Sequence, residues 1–198
     1  MGKIFEKITH NLVQNGNIRE EDEDVYQYAM KSILVLGGNI LLSLIIGVWM
    51  EVPGYCLLFL GAIILLRSDA GGYHASNLVV CYILSLVSLM LTMFIVKEEI
   101  VQYPFIMVVL SFIASMCILR FAPLDSKGKP IEKDERQYIR RRAQITVCLE
   151  WGMGVLLVTI NSQAAYAIWF AIIWCAVGYA GWFVDRKIRT KHEKFEVK

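Results

Sequence analysis

Two residues of the 198-residue chain have the types and spacing for nucleophilic catalysis: His74 and, seven positions later, Cys81. A free thiol ionises near pH 8.5, and a neighbouring imidazolium lowers that value, so a Cys/His pair can present a thiolate that attacks a peptide carbonyl near neutral pH. His10 and His192 fall in the polar ends of the chain, which leaves His74 as the histidine near an apolar segment. Cys56, Cys117, Cys148 and Cys175 also lie in or beside apolar segments. Five cysteines without C-x-x-C spacing disfavour a disulfide framework or a structural zinc, and a buried, inert thiol is the ordinary fate of each. H-E-x-x-H is absent, so neither a metal nor another cofactor is expected.

The stretch from Arg67 to Asn77 that carries His74 is polar and glycine-rich, unlike the other short connections. Gly71 and Gly72 free the backbone and expose amide donors that could hold an oxyanion; the plain alternative is a flexible turn. Seven residues of continuous helix would hold His74 and Cys81 about 10 Å apart, whereas proton transfer needs about 3 Å. The spacing therefore predicts a non-helical segment from Gly71 to His74, folded over the start of a helix that holds Cys81 within its first two turns. Glu150, the one carboxylate inside an apolar segment, is the candidate third member, orienting the imidazole or binding Arg67; a buried packing residue is the alternative.

The elements that must position these groups belong to a membrane. The chain is 57% hydrophobic and only 19% charged, with a mean hydropathy of +0.51, and its charges fall in blocks between apolar stretches. A net charge of +2 gives no field to attract a polyanion, so nucleic-acid binding is not indicated. Six apolar segments can be cut: Ser32–Met50, Val52–Leu66, Asn77–Val96, Ile100–Leu119, Ala143–Ile160 and Ala164–Val184. With all six crossing and both ends cytoplasmic, nineteen of the twenty basic residues lie inside and Lys97 alone outside, as the positive-inside rule predicts. The expectation is an all-α polytopic membrane protein with one domain. Residues 1–31 form a cytoplasmic N-terminal segment, with Ile4, Phe5, Ile8 and Leu12 on one helical face; residues 32–184 form a six-span core, and 185–198 a basic cytoplasmic tail. The acidic run Glu20 to Asp24 suits the start of the first long helix, and equally a solvated spacer.

Residues 120–142 form a basic cytoplasmic loop that begins at Pro123, turns at Gly128 and Pro130 and then becomes helical. Its charges are a topology signal and attract anionic membrane lipids; specific binding of an acidic partner is the other reading. The candidate partner-binding residues are Lys127, Lys129, Lys133, Arg140, Arg141 and Arg142.

Taken together, R-x-x-A-G-G-Y-H-A-x-x-x-x-x-C at Arg67 to Cys81 and A-P-L-D-S-K-G-K-P-I at Ala122 to Ile131 resemble the AgrB family, accessory gene regulator B membrane peptidases of Gram-positive quorum sensing. The resemblance covers nearly the whole chain. It implies a cysteine endopeptidase that removes the acidic C-terminal tail of a short AgrD-like precursor peptide. Cys81 maps to the nucleophile that forms an acyl-enzyme thioester, His74 to the general base, and Arg67 and Gly72 to positional or substrate-binding roles. An internal Cys or Ser of the precursor would then close a thiolactone or lactone ring. The resemblance also implies a homodimer, and the charge-based topology, with Arg67, His74 and Cys81 flanking the cytoplasmic ends of the second and third spans, puts the active site near the cytoplasmic face of the cell membrane. A six-span peptide exporter without proteolysis is the competing expectation, although no internal repeat supports it.

Overall fold

The computed structural model describes residues 2–16, 18–71, 78–124 and 133–196, and every regular element among them is helical. In chain order these are α1 (Gly2–Gln14), a 3-10 turn (Glu20–Asp22), α2 (Glu23–Trp49), α3 (Pro53–Ala70), α4 (Leu78–Lys97), α5 (Pro104–Phe121), α6 (Lys133–Leu157) and α7 (Ser162–Glu196). The chain forms two compact units, Met1–Ser43 and Leu44–Lys198.

In the first unit the acidic run supplies the 3-10 turn and the first residues of α2, where carboxylates favour the positive end of the helix. Glu23 accepts a hydrogen bond from the buried Thr9 hydroxyl at 3.2 Å, joining α1 to the start of α2. On α1, Ile8 of the expected apolar face is exposed.

The second unit is organised around α7, which packs against α3, α4, α5 and α6. Residues Ala164 to Trp169 are all buried in succession, so this part of the helix is enclosed on every side. Its small residues, Ala164, Ala165, Ala167 and Ala171, let neighbouring backbones approach closely, as helix packing in lipid requires. Polar caps of large side chains tie it to its neighbours: Trp174 Nε1 donates to Thr92 on α4 (3.0 Å), Trp169 Nε1 to the Trp151 carbonyl on α6 (3.3 Å), and the Tyr179 hydroxyl to the Ala70 carbonyl on α3 (2.7 Å). Trp151 Nε1 in turn reaches the Ser111 hydroxyl on α5 at 3.2 Å. Asn161 caps α7 by accepting from the Ala164 amide at 3.0 Å.

Pro104–Phe121, Pro53–Ala70 and Ser162–Phe183 are long and apolar enough to cross a membrane, and Leu36–Trp49 and Tyr82–Lys97 are shorter apolar stretches. Large apolar side chains lie exposed on the outer faces of the bundle, among them Ile83, Val87 and Phe94 on α4, Ile113 on α5, and Leu149 and Leu156 on α6. Such a surface is stable against lipid rather than water. The helices overrun the apolar segments read from sequence: α3 continues four residues beyond Leu66, α6 begins at Lys133 instead of Ala143, and α7 carries on into the basic tail. Arg67, Ser68 and Asp69 are thus the last turn of a helix and not part of a connecting loop.

Candidate active site

The candidate segment connects the end of α3 to the start of α4. Proline at the first position of α3 starts the helix, and Gly71 ends it, its amide donating to the Arg67 carbonyl at 3.2 Å. Gly71 has φ 70° and ψ −161°, a region essentially closed to residues with a Cβ. A Cβ there would also lie 2.6 Å from the Leu124 carbonyl oxygen. The first glycine of the pair is required because the chain must turn against the strap that follows α5. Its amide is engaged in the cap, and Gly71 sets the backbone shape at the end of α3.

That turn is clamped from three directions. The Ala70 carbonyl accepts from both the Leu124 amide (3.2 Å) and the Tyr179 hydroxyl (2.7 Å). Asp69, 8% exposed, pairs with Arg142 of α6 at 3.2 Å. Leu124, Pro123 and Ala122 are buried at the end of α5, so the first residues of the A-P-L-D stretch pack here. None of the residues 69, 122 and 179 stood out in the sequence as a partner of the motif. The signal available was a carboxylate at the end of an apolar helix, opposite an arginine-rich helix start.

Gly72 and His74 lie outside the described residues, as do Lys127 and Lys129. Cys81 lies in the first turn of α4, within the two turns that the spacing requires. Lys133 begins α6. Arg67 is half-buried on the last turn of α3, and Arg67 and Glu150 both lie within electrostatic reach of Cys175 on α7. Glu150 is 6% exposed, and neither carboxylate oxygen has a hydrogen-bond partner among the described residues. A buried carboxylate left without partners costs several kcal/mol, about as much as a typical core mutation or more. Arg140 and Arg141 are exposed on α6, whereas Arg142 faces Asp69, so the three consecutive arginines do not form one surface. Cys56 and Cys175 are buried, Cys117 is half-buried and Cys148 exposed, and none of the four is in a disulfide among the described residues.

Two Clostridium perfringens proteins, each described only as AgrB-like, are similar to the chain. The one from strain SM101 is 26% identical over 152 residues, covering 73% of this chain and 68% of that protein. The other, AgrB-like protein 2 of strain 13, is 24% identical over 150 residues with the same coverage. No solved structure matches. The family described as Accessory gene regulator B matches residues 5–179, from α1 to the tyrosine that clamps the end of α3, and the chain belongs to that family.

Proposed function

We propose that the protein is a membrane cysteine endopeptidase that cuts the acidic tail from an AgrD-type precursor peptide. The observation that carries this reading is Cys81 in the first turn of α4, seven residues after His74, in a chain of this family. The positive end of the helix favours a thiolate at that position. The Cys81 sulfur attacks the scissile carbonyl, and His74 returns the proton to the departing amine, leaving a thioester on the enzyme. Exchange of that thioester with a thiol of the peptide itself is nearly isoenergetic, and a site shielded from water protects the intermediate until the ring closes.

The test is incubation of the purified protein with a synthetic AgrD-type precursor peptide that has an internal Cys and an acidic C-terminal tail. A cysteine peptidase accumulates a covalent acyl-enzyme that hydroxylamine releases, and alkylation of Cys81 stops processing. An exporter moves the peptide uncut and survives alkylation. Cys148 is exposed, so the experiment is read in a Cys148→Ser background.

Six crossings with both termini in the cytoplasm are supported by the charge asymmetry, which leaves Lys97 alone outside. A reporter inserted after Lys129 should read cytoplasmic and one at Glu98 external; the opposite result at either position overturns the topology and the cytoplasmic site with it. In this reading Lys127, Lys129 and Lys133 attract the precursor's acidic tail and orient it during encounter.

Glu150 is proposed as a positioning residue that holds the His74 imidazole, a role supported by its buried carboxylate with no hydrogen-bond partner among the described residues. Replacing it by Gln keeps the volume and removes the charge. Turnover should fall about tenfold to a hundredfold, with the Michaelis constant little changed and the alkaline limb of the pH–rate profile displaced. A packing residue would leave the pH profile where it was.

A further inference from the structure

A second polar site lies on a different face of α6. Arg136, Arg140 and Arg141 of α6 meet Arg120 at the end of α5 around an open pocket of about 620 Å³, whose wall is completed by Phe121 and Pro123. Arg120, Arg140 and Arg141 have no carboxylate partner among the described residues; Arg120 instead lies 5.7 Å from the centre of the Phe121 ring. The unpaired Arg120, Arg140 and Arg141 gathered around one pocket repel one another. An anion that neutralises them removes that cost, and guanidinium groups suit phosphate because they donate two parallel hydrogen bonds.

The depth of the pocket identifies the source of the anion. Arg120 and Phe121 are the last two residues of α5, a helix long and apolar enough to cross a membrane, so the pocket opens where hydrocarbon gives way to headgroups. The Phe121 ring is 43% exposed at that level and rests edge-on against Phe183 of α7. Its direction separates it from the end of α3. Successive helix residues are turned by about 100°, so Arg142, which pairs with Asp69, points about 160° away from Arg140. An acidic peptide drawn to the α3 side would meet Arg142 first.

We propose that this pocket binds the phosphate of an anionic phospholipid. The inference does not depend on the peptidase reading, since binding is measured on the whole protein without substrate. Purified in a neutral detergent, the protein is supplied with phosphatidylglycerol or with phosphatidylcholine of the same chains, and retention is followed by native mass spectrometry beside the thermal midpoint. Phosphatidylglycerol should be retained and should raise the midpoint, while phosphatidylcholine does neither. The double substitution Arg120→Gln/Arg140→Gln should weaken phosphatidylglycerol binding roughly thirtyfold, the effect of two interfacial charges. A second pair, Arg136→Gln/Arg141→Gln, should do the same, and Arg19→Gln/Lys97→Gln, which removes equal charge elsewhere, should not.

Equal retention of the two lipids, or undiminished binding by both pocket variants, overturns the proposal. Protection by inorganic phosphate alone, matching that of the lipid, would make free phosphate the ligand. Pocket-dependent binding of a hexaglutamate peptide in preference to phosphatidylglycerol would make the occupant an acidic chain. If one pair fails to insert, the other carries the comparison.

Discussion

Cys81→Ala should abolish precursor cleavage while the protein still accumulates in the membrane. Removing the nucleophile of a covalent mechanism leaves only binding and electrostatic contributions, and in a well-studied serine peptidase the corresponding loss in turnover is about a millionfold. Cys56 and Cys175 are buried in the bundle, Cys117 is half-buried and Cys148 is exposed on α6, so the comparison is made in a Cys148→Ser background. His74→Ala should cost nearly as much, because residues that act as a unit lose their joint effect when either is removed. The measurement is the fraction of precursor processed at equal protein level, with the covalent intermediate assayed by mass. Normal processing by the alanine variant would end the cysteine-peptidase reading.

The second large effect is expected at a residue that touches no substrate. Gly71→Ala should destabilise the protein by about 2–4 kcal/mol, combining about 1–3 kcal/mol for a Cβ in a glycine-only backbone region with the clash against the Leu124 carbonyl. Gly71→Val should be no milder, since the penalty lies in the backbone and in the first side-chain carbon. Gly61→Ala is the control: it lies within α3, which Gly71 ends, has open space at its Cβ, and should be neutral or slightly stabilising. Thermal midpoints in detergent report the difference, and processing should fall in step at the temperature where the Gly71 variants loosen. A Gly71→Ala protein as stable as the control would show that the turn is not held as described.

The contrast between these two positions shows what could be read in advance. Apolar runs located the helices of the bundle, since a segment that must face lipid announces itself by composition alone. Their ends were not legible. Arg67, Ser68 and Asp69 look like the beginning of a loop, yet they remain helical because Asp69 has a distant partner in Arg142 and the Ala70 carbonyl is taken by Tyr179, 109 residues away. The start of α6 and the tail of α7 have the composition of water-exposed chain, but a helix can pass from lipid to water without a break in its hydrogen bonds. The R-x-x-A-G-G-Y-H motif was legible as a candidate site, and the requirement that Gly71 leave the helix was legible too. What the motif could not reveal was its support, because Leu124 and Tyr179 become neighbours only through packing. Nor did hydrophobicity distinguish α7 from the other apolar segments; the run of buried alanines that makes it the centre was present but was no stronger a signal than its neighbours' leucines.

The central place of α7 has a consequence for how the protein is made. Helices α3 to α6 are synthesised before the helix on which they all pack, so their inward faces, including Leu66, Met93, Ile118 and Val147, meet lipid or one another until that helix emerges. The bundle cannot be completed one span at a time. A ribosome arrested before Ser162 should hold a chain that is inserted yet readily digested, and protection of α3 and α6 should appear together only once Tyr179 has been added.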